Sequence, residues 1–157
     1  MIRRLLRTGA VLALGLSLAL PLHAQQQQGS ANKQVINRPD ARPGFMFSTA
    51  VRVGDLVFLS GVMGTQAGGK LADGGIEGQT RQALENVKAN LELAGATLSD
   101  VAKCTVFLTD AANFAAMNKV YHEFFPTDPP ARSTVAVAAL VVPNALIEIE
   151  CTAAVKK

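Results

Sequence analysis

The sequence predicts a single α+β domain in which two helices pack on one face of a mixed sheet. Two observations carry that expectation. Strand-forming runs and helical apolar stripes follow one another in the order strand, strand, helix, strand, helix, strand, strand. The apolar-rich part of the 157-residue chain runs from about Gln34 to the end, a length suited to one compact core.

The residues before that domain differ in kind. Met1 to Arg7 is basic, Gly9 to Leu20 is apolar, and Leu22-His23-Ala24 has the small-residue character of a cleavage site, so residues 1–24 read as a secretory signal peptide. The apolar core is shorter than the roughly 20 residues that span a bilayer, which predicts cleavage and export to the periplasm rather than a retained anchor. Residues 25–33 are polar, with four successive glutamines, and read as a disordered linker; the domain is expected over residues 34–157. The leader carries Arg3, Arg4 and Arg7 and no acid, so its removal takes the formal net charge of +3 to zero. A neutral chain without a basic run is a poor partner for nucleic acid, and none is expected.

Phe45 to Arg52 and Leu56 to Ser60 are rich in strand formers, with Val53-Gly54-Asp55 as the turn of a hairpin. Six glycines between Gly61 and Gly75 then mark loops with at most a short strand. They do not open directly into a helix bearing a lysine, as a phosphate-cradling loop must. Over about Gly78 to Ala94, Thr80, Leu84, Val87, Leu91 and Ala94 fall on one helical face, with Gly95 placed as the C-terminal cap. Val101 to Leu108 alternates as a strand, with Cys104, Val106 and Leu108 on one side. A second helix runs from about Ala111 to Phe125, with Asp110 or Asn113 as cap, a stripe of Phe114, Met117, Tyr121 and Phe124, and Pro126 as its end. Asn118 lies beside that stripe, where its amide either caps backbone or faces a pocket.

The last stretch reads as a hairpin. Pro130-Ala131-Arg132-Ser133-Thr134 and the small residues to Leu140 form one strand, Pro143-Asn144 the turn, and Ile147-Glu148-Ile149-Glu150-Cys151 the other. In that arrangement Arg132 and Glu148 line one small pocket. A guanidinium fork suits a carboxylate, and a half-buried glutamate can carry protons near neutrality. The same pattern also fits a solvated strand face, and the residues alone leave both readings open.

The remaining reactive groups are few. Cys104 and Cys151 are the only cysteines, too few for a disulfide scaffold. Each sits in an apolar strand pattern, where a free thiol behaves as a small buried hydrophobe; an oxidising compartment leaves a disulfide between them open. His122 is the only histidine after the leader. It has no nucleophile motif nearby, and no cluster of ligands has metal spacing, which leaves chemistry without metal or cofactor, or simple binding.

Several motifs together resemble the Rid (YjgF) family of reactive-intermediate imine deaminases, from about Gln34 to Val155. They are Leu59-Ser60-Gly61, Gln82 to Lys88, Lys103 to Leu108, Met117-Asn118 to Phe124-Phe125, Pro130-Ala131-Arg132-Ser133 and Ile147-Glu148-Ile149-Glu150. The resemblance implies a chorismate-mutase-like α+β fold, a homotrimer with pockets between subunits, and hydrolysis of 2-imino acids such as 2-iminopropanoate and 2-iminobutanoate to 2-oxo acids and ammonia without a cofactor. It implies that Arg132 holds the substrate carboxylate, Glu148 handles the attacking water, and Asn118, Ser60 and Gly61 border the pocket. Two positions depart from the family pattern. Phe47 stands where a tyrosine is common and lacks its hydroxyl, and Thr134 stands where a cysteine is frequent. Both remain candidate substrate-binding positions.

Two other functions compete. One is a non-catalytic trimer that binds small carboxylates or acts as a chaperone; Arg132 argues against it, because relatives without that arginine have left deaminase chemistry. The other is a ribonuclease, which the neutral charge and single histidine disfavour.

Overall fold

A computed structural model of the chain describes residues 32–39, 44 and 46–155. The expected signal peptide, nearly all of the polar linker, and Phe45 lie outside them. The strands are β1 (Lys33–Ile36), β2 (Ala50–Val53), β3 (Leu56–Leu59), β4 (Val62–Met63), β5 (Val101–Leu108), β6 (Ala131–Ala136) and β7 (Ile147–Ala154), with helices α1 (Gly75–Leu93) and α2 (Phe114–Phe124). They form the α+β arrangement expected from the sequence: one sheet in the order β1, β2, β3, β7, β5, β6, with β4 also paired to β7. Among the described residues no helix is long and apolar enough to cross a membrane.

The expected closing hairpin does not form. β6 runs parallel to β5, with Arg132 opposite Cys104, whereas β7 runs antiparallel along the other edge of β5, with Glu148 opposite Phe107. The cause is the connection through α2. A helix crossover returns the chain parallel to the strand it left, so β6 takes one edge of β5 and β7 must take the other. The turn itself is real: Asn144 has φ 65°, a left-handed conformation that asparagine tolerates. It joins two strands that are not neighbours.

Alternation along the central strands sets the core. Cys104, Val106 and Leu108 on β5 and Ile147, Ile149, Cys151 and Ala153 on β7 are buried against the helices. Their odd-numbered or even-numbered neighbours, Lys103, Thr105 and Phe107 on β5 and Glu148 and Glu150 on β7, take the opposite, open face. Cys104 and Cys151 face one another across the ladder with Cα atoms 4.1 Å apart, and they are joined in a disulfide rather than left as thiols.

The predicted stripe of α1 holds. Thr80, Leu84, Val87, Leu91 and Ala94 are all buried, and each large apolar side chain contributes roughly 1.5–3 kcal/mol. The helix starts at Gly75, earlier than expected, and Gly95 follows its cap with φ 75°. Two buried or half-buried amides tie α1 to loops. Gln79 accepts from Leu146 N at 2.8 Å and donates to Asn144 O, and Asn86 donates to Met63 O and Thr65 O at 3.0 and 2.9 Å.

In α2, Asp110 caps a short 3-10 turn by accepting from Ala112 N at 2.8 Å. Met117, Val120 and Tyr121 are buried, but Phe114, expected in the stripe, is 45% exposed. Its ring instead lies 5.8 Å from the Arg132 guanidinium carbon.

The N-terminal strands also differ from expectation. β1 is an unforeseen edge strand that takes Lys33 out of the expected linker, and the strand predicted from Phe45 begins only at Ala50. Side chains hold the residues before it: Arg38 N donates to Thr49 Oγ1, Thr49 N to Asn37 Oδ1, and Ser60 Oγ to Ser48 O at 2.6 Å.

Candidate active site

Arg132 leaves β6 on the helix side, since its register partner Cys104 points into the core. There it lines a pocket of about 360 Å³ with Asn118, Tyr121, His122, Phe125, Pro129 and Pro130. Its guanidinium donates to Asn118 Oδ1 at 2.7 Å and lies over the Tyr121 ring, 4.5 Å from the centroid. Asn118 and Tyr121 are three residues apart on α2, which puts both on the face that meets the arginine. No carboxylate among the described residues pairs with Arg132. The cation is oriented by neutral groups and keeps donors for an anion.

Thr134 is on the same side of β6, two residues on, opposite Val106. Its hydroxyl is buried without a partner among the described residues.

Glu148 belongs to the other face. It stands opposite Phe107 and Met63, half-buried, and its carboxyl lies directly over Gly61, where a Cβ would overlap Oε1. Burial pushes its pKa up, and the neighbouring Glu150 charge adds to the rise. Ser60, beside Gly61, spends its hydroxyl on Ser48 O and its N–H on Thr49 O at 3.1 Å. It thereby pins the bend that carries Phe47, a residue 60% exposed.

The candidate residues therefore form two groups on opposite faces of one sheet. Arg132, Asn118 and Thr134 gather on the helix side; Glu148, Ser60 and Gly61 gather on the open side, with Phe47 on the bend that Ser60 holds. Within one chain Arg132 and Glu148 do not share a pocket, contrary to the hairpin expectation. Sequence reasoning also missed Tyr121 and His122 as pocket residues. Tyr121 falls in the predicted core stripe, and its spacing from Asn118 is the available signal. Among the described residues, no group of three or more His, Cys, Asp or Glu side chains is placed to hold a metal ion.

Comparison with known proteins gives the fold and the pocket a context. Residues 35–155 match the family described as Endoribonuclease L-PSP. The chain is 43% identical over 126 residues to Reactive Intermediate Deaminase A, chloroplastic, of Arabidopsis thaliana, covering 79% of this chain and 67% of that protein. It is 42% identical over 120 residues to the 2-iminobutanoate/2-iminopropanoate deaminase of Dermatophagoides farinae, covering 75% of this chain and 93% of that one. The crystal structure of RidA from the Antarctic bacterium Psychrobacter sp. PAMC 21119 matches with TM-score 0.71 at 37% identity, over 78% of this chain and 99% of that chain. Sheet, helices and relatives thus define a small α+β domain of the YjgF-like type. The chain belongs to the Endoribonuclease L-PSP family, that is, the Rid (YjgF) family.

Proposed function

We propose that this protein hydrolyses reactive 2-imino acids, 2-iminopropanoate and 2-iminobutanoate among them, to 2-oxo acids and ammonia. The observation that carries the reading is Arg132: a fork held in place by Asn118 and an aromatic ring, lining a pocket, and without a carboxylate partner among the described residues. Two of the relatives are named for this deaminase chemistry.

The chemistry needs little beyond these groups. A protonated imine is already electrophilic, so the protein must hold its carboxylate, present a water and move protons. Arg132 binds the carboxylate in a bidentate way. Water adds to the imine carbon as Glu148 accepts its proton; Glu148 returns that proton to the nitrogen, and the C–N bond then breaks, expelling ammonia as the adduct's hydroxyl proton passes to Glu148 and on to solvent, leaving the ketone. A carboxyl raised by burial is suited to both transfers. No cofactor enters any of these steps.

Because Arg132 and Glu148 occupy opposite faces of the sheet, the complete site draws one from each of two copies. A homotrimer with three sites between subunits meets that requirement. Support comes from the open face, where Val53, Leu56, Phe58 and Val135 are each 44% exposed, a row of apolar side chains suited to burial against another copy. The leader and the buried Cys104–Cys151 disulfide, a bond that persists in oxidising compartments, support export to the periplasm.

The test is release of 2-oxo acid and ammonia from imines generated in situ by an amino-acid oxidase, with mature protein and Arg132→Ala. Acceleration that the variant lowers at least about a hundredfold, with assembly unchanged, is the expected result. A folded oligomer that binds 2-oxo acids without accelerating hydrolysis would instead favour the carboxylate-binding reading.

A further inference from the structure

The pocket at Arg132 offers more than the anchor of a short imino acid needs. Its volume of about 360 Å³ falls in the range of sites that enclose whole small-molecule ligands. It also has a direction. The guanidinium carbon lies between two rings of α2, 5.8 Å from the Phe114 centroid and 4.5 Å from that of Tyr121. Phe114 does not line the pocket, whereas Phe125, Pro129 and Pro130, which follow the last residue of α2, do. The cavity therefore extends from the arginine toward the C-terminal end of the helix.

His122 lines that path. It is four residues beyond Asn118, so the two side chains share one face of α2 with Cβ atoms about 5–6 Å apart. Asn118 meets the guanidinium at 2.7 Å, which puts the imidazole roughly one helical turn further along the cavity. His122 is exposed, and its side chain makes no hydrogen bond or ion pair among the described residues. No acidic side chain lines the pocket, and Glu123, next in the chain, is committed to Arg81. An imidazole has an N–H donor in either charge state. A ligand with an alkyl side chain would leave that donor unused.

We propose that His122 receives a second carboxylate, carried on the side chain of the ligand, so that the substrates taken best are 2-imino dicarboxylates. The inference rests on Arg132 as the anchor of the first carboxylate and deepens the deaminase reading by naming its substrate class. Arg132 holds the carboxylate beside the imine carbon. The rest of the ligand follows α2 to the imidazole, with no carboxylate of the pocket to repel a dianion. Imines of this class form when an acidic amino acid is oxidised at its α-carbon.

The experiment is calorimetric titration of 2-oxoglutarate and 2-oxobutanoate, stable 2-oxo acids with and without the second carboxylate, into the mature oligomer, His122→Leu and His122→Gln. Turnover of the imines that oxidases generate in situ from acidic and neutral amino acids is measured alongside. The parent should bind 2-oxoglutarate about tenfold more tightly than 2-oxobutanoate. His122→Leu should erase that ratio, and His122→Gln, which keeps an N–H donor, should retain part of it. The ratios of kcat/KM for the two imines should follow. Because each ratio is read within one protein, a general loss of fold or assembly does not imitate the effect. A ratio that is the same in all three proteins overturns the proposal, as does a parent that prefers 2-oxobutanoate; both results leave the deaminase reading standing. A ratio that depends on His122 without any imine turnover removes the deaminase reading and leaves this site in place. A folded parent that binds neither 2-oxo acid overturns both.

Discussion

Two arginines meet α2, and their surroundings could hardly differ more. Arg81, on α1, makes a bidentate pair with Glu123, its two terminal nitrogens 2.7 and 3.0 Å from the two carboxylate oxygens, in a setting about half exposed. Arg132, on β6, is held by an amide oxygen and two aromatic rings and has no carboxylate partner among the described residues. The first cation is neutralised by its own protein. The second is aimed but not neutralised, which is the state an anion site requires before its ligand arrives. The difference teaches where to look for function: at the charge the fold positions and leaves unanswered.

The comparison breaks most decisively if Arg132 is dispensable. Arg132→Ala and Glu148→Gln should each lose activity by roughly a hundredfold to ten-thousandfold, the range for loss of an acid–base group or its positioned substrate. Because the two residues lie on opposite faces, mixing the two inactive variants and reassembling them should regenerate sites with both native groups. Random mixing restores about a quarter of the sites if each draws on two copies in cyclic order. Recovery in the assay supports a shared site; no recovery from well-assembled mixtures would place both groups in one chain or remove one of them from the chemistry.

A finer test concerns the open face alone. Gly61→Ala puts a methyl group where the Glu148 carboxyl now lies, so the carboxyl must swing away. A misplacement of about 1 Å can cost on the order of a hundredfold in rate. The sign of the pH effect follows from the cause of the shift. Burial raises the Glu148 pKa, and displacement into water removes that cause, so the acid limb of kcat/KM should move to lower pH in whatever activity remains. An unmoved limb would mean that another group titrates.

How much of this was readable in the sequence depends on the kind of information. Local periodicity gave the α1 stripe and the alternation of β5 and β7, and cap chemistry offered Asp110 or Asn113, of which Asp110 caps the 3-10 turn before α2; each is set by side chains a few residues apart. The family resemblance, not periodicity, supplied most residues of the candidate site, Tyr121 and His122 excepted. Periodicity did not give their relation. The turn at Pro143-Asn144 was visible, but a turn does not say which strand edges pair, and the α2 crossover inserted β5 between β6 and β7. The register on the two edges of β5 then puts Arg132 level with Cys104 and Glu148 level with Phe107, on opposite faces, and brings Cys104 opposite Cys151. β1 was missed because only four residues form it, three of them exposed, leaving no buried alternation to see. Tyr121 is core, as the α2 stripe predicts; its place under Arg132 is a tertiary fact.

The smallest expected effect is at the other arginine, and it completes the comparison. Arg81→Ala removes a well-formed ion pair, but both partners are solvated, and exposed pairs add little to stability after screening and side-chain ordering. The variant should keep the parent KM and kcat for 2-iminobutanoate, and its melting temperature should fall only slightly, with less difference at high salt. Glu123, relieved of its cation, should lose the depression that the Arg81 hydrogen bond imposes on its pKa, a change that NMR titration can follow. A rise in KM would mean that the Arg81–Glu123 pair positions α2, and through Asn118 the Arg132 fork, so that the two arginines act as one device rather than as a structural and a functional case.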